Sequence, residues 1–259
     1  MRPARPGRSS ASPDEADDAD TGFDARLIWA GLFLSMATFA KLPVIDLWFS
    51  QRYHSADKGF FQQHNPMVQA LQQVTVPVCA GVLLVAGLLA LGAPWWARLA
   101  AAAGHDRLAG LLAGTWRRSA VMVVCVGALC SGVLVQWGLK GHIGRPTPAQ
   151  TIEFGGAAPF QPVFSLGEDP TVHRSFPSAH AAAAFSLLSI GWWASPMWRR
   201  RWFLIGLVAG SLVGMARIMQ GAHYLSDVVF SFYAVWLTCE LVAFGLRRLD
   251  ARRAAHAGP

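Results

Sequence analysis

The sequence is poor in charged residues and has few cysteines. Asp, Glu, Lys and Arg make up 14% of its 259 residues, against roughly 25% in soluble domains. The four cysteines lie inside apolar segments at no metal-like spacing, so they imply neither a disulfide framework nor zinc. No Asp/Glu cluster suits Mg²⁺. We therefore expect no metal and no cofactor.

Hydrophobic residues, in contrast, make up 53% of the chain and are concentrated in blocks. This distribution favours an integral membrane protein over a soluble one. The formal net charge of +7 comes largely from short arginine runs between the apolar blocks. Such runs are typical of cytoplasmic loops that follow the positive-inside rule, so we expect a membrane and no nucleic acid as partner.

Six apolar segments can be drawn as membrane spans of about 20 residues each. They cover residues 27–44, 68–90, 120–140, 178–193, 202–220 and 225–246. Residues 1–24 are polar and predict a disordered tail, residues 25–248 a six-helix membrane domain, and residues 249–259 a short basic tail. The predicted fold is all-α and polytopic.

The arginines predict the orientation of this bundle. With six spans, the arginine-rich segments all fall on one side, which is then cytoplasmic. The loops at 46–67, 141–176 and 221–224 face outward. Three short motifs lie at the ends of spans on this outer face.

One motif is Pro177-Ser178-Ala179-His180, which opens an apolar helical run. Proline suits the first turn of a helix, and the free N–H groups there form a natural phosphate site. The alternative is a capped helix with an interfacial histidine.

A second motif joins Arg217, His223 and Asp227 at the spacing Arg-x5-His-x3-Asp. His223 and Asp227 are one helical turn apart, so the carboxylate can fix the tautomer of the imidazole. The alternative is a structural Asp–His pair, with Arg217 extending to headgroups.

A third motif places Lys140 at the end of a span and Arg145 in a tight Gly/Pro loop, followed by Thr147 and Pro148. Two cations at the end of a span are common, so this motif alone is weak. The coincidence of all three motifs on one face indicates a site for a phosphate monoester.

Together, these residues resemble the type 2 phosphatidic acid phosphatase (PAP2) superfamily, relatives of the vanadium haloperoxidases. The family signatures are Lys-x6-Arg-Pro, Pro-Ser-Gly-His and Ser-Arg-x5-His-x3-Asp. The chain departs at Thr147, Ala179 and Ala216, which replace Arg, Gly and Ser. The resemblance implies a PAP2/haloperoxidase-like helical core. The context around residues 43–49 and 153–156 resembles the bacterial lipid A phosphatase branch.

The resemblance also implies residue roles. His223 would be the nucleophile that forms a phosphohistidine, Asp227 would orient it, and His180 would protonate the leaving group. A further set would bind the substrate phosphate: Lys140, Arg145, Ser178, Ala179 and Arg217. Thr147 or Arg174 would substitute for the missing arginine.

The expected function is metal-independent hydrolysis of a lipid phosphate at the outer face of the bacterial inner membrane. Candidate substrates are lipid A, polyprenyl diphosphate, phosphatidylglycerophosphate and phosphatidate. The alternatives are a lipid-to-lipid phosphotransferase and a non-catalytic carrier or scaffold with a degenerate site. Thr147 and Ala179 favour the degenerate site. The sequence does not indicate an oligomeric state.

Overall fold

The computed structural model describes residues 25–130, 132, 140–167, 169 and 171–256, and these are mostly helical. Nine α-helices follow one another along the described chain: α1 (Ala25–Lys41), α2 (Val44–Gln51), α3 (Pro66–Ala102), α4 (Asp106–Leu111), α5 (Arg117–Val126), α6 (Lys140–Ile143), α7 (Ala179–Phe185), α8 (Pro196–Met219) and α9 (Leu225–His256). A short antiparallel hairpin of β1 (His54–Ser55) and β2 (Gly59–Phe60) joins α2 to α3.

Shorter helical turns connect or extend these α-helices. A π-helical turn, Leu112–Trp116, joins α4 to α5. The 3₁₀ turns Pro148–Gln150 and Ile152–Phe154 lie in the loop after α6, and Ser186–Gly191 extends α7.

Four helices of the described chain are long and apolar enough to cross a membrane. They are α3, Asp106–Cys130, α8 and the Leu225–Arg253 part of α9. The pair α1 and α2 adds a fifth if it counts as one span bent by 86°. A multi-pass membrane protein is therefore confirmed, whereas the predicted number of six spans is not.

The spans differ from the sequence prediction for local reasons. The predicted span 27–44 breaks after Lys41 because Pro43 has no backbone N–H to continue the hydrogen-bond ladder. The predicted span 178–193 becomes the short apolar helix Ala179–Gly191. Its length of about 20 Å falls short of the roughly 30 Å hydrocarbon core.

Other predicted boundaries also shift. Helix α3 is longer than the predicted span 68–90, and α9 continues to His256, through most of the predicted tail 249–259. The predicted span 120–140 begins earlier, within Asp106–Cys130. Its later part falls on residues 131 and 133–139, and these, like the predicted tail 1–24, lie outside the described residues.

The main hydrophobic core lies around α9. Val235 and Cys239 of this helix are fully buried against Met122 of α5 and against Ala181 and Phe185 of α7. Because α7 and α9 share this core, the beginnings of both helices are brought to one end of the bundle.

Candidate functional site

The turn between α8 and α9 carries His223. Helix α8 ends at Met219, and Gly221 then adopts φ +69°. A Cβ atom at this position would lie 2.3 Å from a ring carbon of Phe60, so both the backbone angle and the close approach of β2 require glycine. The chain reaches His223, which is 4% exposed, just before α9 begins.

Asp227 lies in the first turn of α9 and faces His223. The Nδ1 atom of His223 is 3.6 Å from Oδ2 of Asp227. The same oxygen accepts the backbone N–H of Tyr224 at 2.8 Å and the hydroxyl of Ser175 at 2.6 Å. A carboxylate in this position favours the tautomer protonated at Nδ1, which leaves Nε2 as the unprotonated nitrogen. The pair can therefore present a nucleophilic or basic nitrogen.

Arg145 is fully buried, and its guanidinium contacts two carboxylates. Its Nη1 atom donates to Oδ1 of Asp227 at 2.5 Å and to the hydroxyl of Ser226 at 2.8 Å. Its Nη2 atom donates to Oδ2 of Asp46 at 2.7 Å, and Nε donates to the carbonyl of Gln161 at 3.0 Å. The sequence assigned this side chain to a substrate phosphate, whereas its N–H groups point at protein oxygens.

Asp46 is a site residue that the sequence analysis did not assign. It lies in α2 and is fully buried. Its Oδ1 accepts the backbone N–H of Ser226 at 2.9 Å, and its Oδ2 accepts the hydroxyl of Ser226 at 2.6 Å. A carboxylate within an apolar segment is costly unless it is paired, and this signal in the sequence could have identified it.

Asp46, Arg145 and Asp227 form a buried cluster with one more acid than base. Burial works to lower the pKa of Arg145, but the carboxylates of Asp227 and Asp46 outweigh it and raise that pKa, so the guanidinium stays charged. With both acids ionised, the three side chains together carry a formal charge of −1. Within the described part of the chain, no three His, Cys, Asp or Glu side chains form a group that could hold a metal.

Tyr224 covers one face of this cluster. Its ring centroid lies 4.3 Å from Cζ of Arg145, and its hydroxyl donates to Thr151 at 3.4 Å. Burial raises the pKa of the Tyr224 phenol, so the ring adds no further negative charge. The guanidinium is thus held between two carboxylates and a neutral aromatic face.

The beginning of α7 is anchored to the same turn of α9. Ser178 is the N-cap of α7, since its hydroxyl accepts the N–H of Ala181 at 3.4 Å. The backbone N–H of Ser178 donates to the carbonyl of Asp227 at 3.4 Å. The hydroxyl of Ser231 donates to that carbonyl at 2.6 Å and to the carbonyl of Ser178 at 3.1 Å. His180, the second residue of α7, is half-buried beside this junction.

Arg217 lies at the end of α8 and lines a polar cavity. Its Nη1 atom donates to Oε1 of Gln220 at 2.6 Å. The cavity has a volume of about 340 Å³ and reaches Ala222, the residue before His223. Glutamines from the beginning of α3 also line it. Ala222 connects this cavity to the turn that carries His223.

The remaining predicted phosphate-binding residues lie between the beginning of α6 and the beginning of α7. The backbone N–H and hydroxyl of Thr147 donate to Oε1 of Gln150 at 2.9 and 3.2 Å. Ala179 is the first residue of α7, and Arg174 is exposed. Lys140 begins α6, and its side chain lies outside the described part of the structure.

Comparison with known proteins matches the part of the chain that contains Arg145, Ser178 and the turn with His223 and Asp227. Residues 120–248 match the family model of the PAP2 superfamily. The chain is 32% identical over 116 residues to the lipid A 4′-phosphatase of Francisella tularensis subsp. novicida, an alignment that covers 43% of this chain and 50% of the relative. It is 39% identical over 130 residues to the lipid A 4′-phosphatase of Rhizobium leguminosarum, covering 49% of this chain and 53% of the relative.

A lipid A 4′-phosphatase of Rhizobium etli is 38% identical over 131 residues, with 49% of this chain and 48% of the relative covered. The chain thus spans about half the length of the curated relatives it matches. No solved structure matches the chain significantly. The resemblance stated from the three motifs, including the similarity to the lipid A phosphatase branch, is confirmed. The chain carries a PAP2 superfamily domain at residues 120–248.

Proposed function

We propose that this chain is a membrane phosphatase that hydrolyses a phosphate monoester of lipid A or of a closely similar lipid. The observation that carries the proposal is the convergence of the three motifs on Asp227. Arg145 contacts its carboxylate, the backbone of Ser178 contacts its carbonyl, and His223 lies against its Oδ2. The matched relatives named lipid A 4′-phosphatase support the choice of lipid.

In the first step, Nε2 of His223 attacks phosphorus in line with the leaving oxygen. A P–N bond forms while the P–O bond to the lipid breaks, and His180 donates a proton to the departing alkoxide. Asp227 accepts the hydrogen bond of Nδ1–H and stabilises the charge that develops on the imidazole. The buried position of Asp227 supports this role, because an ionised neighbour acts most strongly where water is excluded.

In the second step, a water molecule attacks the phosphohistidine while His180 accepts its proton. The P–N bond breaks, inorganic phosphate leaves and His223 is regenerated. Lys140 and Arg217 bind the equatorial oxygens, together with backbone N–H groups at Ser178 and Ala179. Arg217 is supported in this role by its place in the cavity that reaches Ala222.

We place the site at the outer face of the inner membrane. Helix α8 carries Arg199, Arg200 and Arg201 near its beginning and Arg217 near its end. The charged cluster at the beginning of a long apolar helix is typical of the cytoplasmic side, so the other end faces the periplasm.

The test is phosphate release from lipid A bisphosphate by the full-length protein in detergent micelles, with EDTA in every sample. We expect His223→Ala to lose at least about 10³-fold in kcat, while His105→Ala, at an exposed histidine outside the motifs, keeps the wild-type rate. Equal rates for wild type and His223→Ala would overturn the proposal. Wild-type protein without any activity would indicate a degenerate, non-catalytic member.

The same assay separates hydrolysis from phosphate transfer. Release of inorganic phosphate without any added acceptor lipid indicates a hydrolase. If release requires an acceptor and the acceptor becomes phosphorylated, the protein is a phosphotransferase that uses the same histidine.

A further inference from the structure

One face of α3 carries three glutamines at its beginning. Gln69, Gln72 and Gln73 are spaced i, i+3 and i+4, so they lie side by side on the helix. Their neighbours on the other faces include Met67, which is 76% exposed, and Val76, which is 56% exposed. The polar face is therefore confined to one side of a helix whose other exposed residues are mostly apolar.

These glutamines face the polar cavity that Arg217 lines. Gln63 and His64, which precede α3, lie at the same wall, and Nε2 of Gln69 donates to the carbonyl of Gln63 at 3.2 Å. This hydrogen bond fixes part of the wall in place. We call Gln63, Gln69, Gln72 and Gln73 the glutamine wall.

The chemistry of the glutamine wall fits a hydroxyl-rich group better than a second anion. A glutamine amide donates and accepts hydrogen bonds and carries no charge. Arg217, which lines the same cavity, is a cation that would hold a phosphate, while the amides would contact neutral polar groups beside it. No acidic side chain lines the cavity among the described residues. Its volume of about 340 Å³ is within the range of small-molecule sites, roughly 300–1,000 Å³.

We infer that the glutamine wall binds the sugar ring that carries the substrate phosphate, and so selects phosphorylated glycolipids over phosphorylated glycerolipids. The inference rests on the proposed function. A sugar offers several hydroxyl or amide partners to the amides, whereas the glycerol backbone of phosphatidate offers few. A site built to hydrogen-bond such groups discriminates against a ligand that lacks them.

The experiment compares kcat/KM for lipid A bisphosphate with kcat/KM for phosphatidate in the same mixed micelles. The test variant is Gln69→Leu/Gln72→Leu/Gln73→Leu, in which leucine keeps the helix propensity and most of the volume. Gln72→Leu alone serves if the triple variant does not fold. The matched control is Gln51→Leu at the end of α2, an exposed glutamine that does not line the cavity.

We expect the ratio of the two kcat/KM values to fall about tenfold or more in the triple variant, as loss of several hydrogen bonds predicts. The control keeps the wild-type ratio. An unchanged ratio in the triple variant, or an equal loss for both lipids, would overturn the inference.

Failure of the proposed function gives a different pattern, in which wild type hydrolyses neither lipid. Binding then provides the test, by native mass spectrometry of the full-length protein with each lipid. Preferential binding of lipid A bisphosphate by wild type, reduced in the triple variant, supports the glutamine wall. Equal occupancy of lipid A bisphosphate in wild type and variant contradicts it.

Discussion

Nη1 of Arg145 lies 2.5 Å from Oδ1 of Asp227, and neither side chain is accessible to solvent. The contact joins the loop after α6 to the first turn of α9. It also occupies the carboxylate oxygen that does not face His223. Arg145 is therefore placed to hold Asp227 in position, and its effect on the reaction would pass through that carboxylate.

Arg145→Lys tests whether this residue positions Asp227 or binds phosphate. Lysine keeps the charge but loses the fork that contacts both carboxylates, so we expect kcat to fall about 10²-fold while KM and inhibition by vanadate change little. The control is Arg52→Lys, whose guanidinium is exposed and stacks on Trp48 at 3.9 Å. A raised KM and weakened vanadate inhibition at wild-type kcat would instead assign Arg145 to the phosphate.

His180→Ala tests the proposed general acid with two substrates. A lipid alkoxide needs a proton to leave, whereas p-nitrophenolate does not, so we expect a loss of about 10²–10⁴-fold with the lipid. With p-nitrophenyl phosphate, we expect a rapid burst of one nitrophenolate per enzyme, followed by slow turnover, because the second step still lacks its base. Absence of a burst, with equal losses for both substrates, would remove His180 from the acid role.

Thr147→Arg tests whether the absence of the family arginine at this position weakens phosphate binding. Thr147 is half-buried in the loop after α6, and an added guanidinium could supply a second cation to the phosphate. We expect vanadate inhibition to become tighter by roughly three- to tenfold, on the scale of the net contribution of one hydrogen bond. Val172→Arg, at a position that is 57% exposed in the same loop, is the matched control. An equal effect of both variants would reflect net charge alone.

Gly210→Ala tests the packing of α8 on α7. A Cβ atom at Gly210 would lie 2.1 Å from Cδ1 of Phe185, whereas a Cβ at Gly87 of α3 meets nothing within 4 Å. We expect Gly210→Ala to lower the free energy of unfolding by about 1–3 kcal/mol through overpacking. Gly87→Ala should raise it by up to about 1 kcal/mol through helix propensity. Thermal unfolding in detergent measures both, and a Tm for Gly210→Ala at or above wild type would contradict the packing.

The motifs could be found from the sequence because their chemistry is local. His223 and Asp227 are separated by one helical turn, and Pro177 and Ser178 stand directly before an apolar run. The helical membrane class followed from composition alone. These features depend on spacing within a few residues, which the sequence displays.

The partners of Arg145 could not be predicted, because they depend on packing between distant segments. Asp46 is 99 residues from Arg145, and Asp227 is 82 residues away. The packing of α2 against α9 decides where this loop arginine points. It can reach outward to a phosphate or inward to two acids. The helix predicted at residues 178–193 is present at Ala179–Gly191, but it is shorter than a membrane span.

Asp46 lies outside the family domain at residues 120–248, yet it supplies one of the two carboxylates that pair with Arg145. A fragment that contains only this domain would lack Asp46, so the buried guanidinium of Arg145 would keep only one of its two carboxylate partners. Removing one partner of a buried ion pair typically destabilises a protein by about 3–5 kcal/mol. The part of the chain that matches the family model is therefore not an independently folding unit. The first two helices are an internal support of the Arg145–Asp227 contact, and a minimal expressible unit must include them.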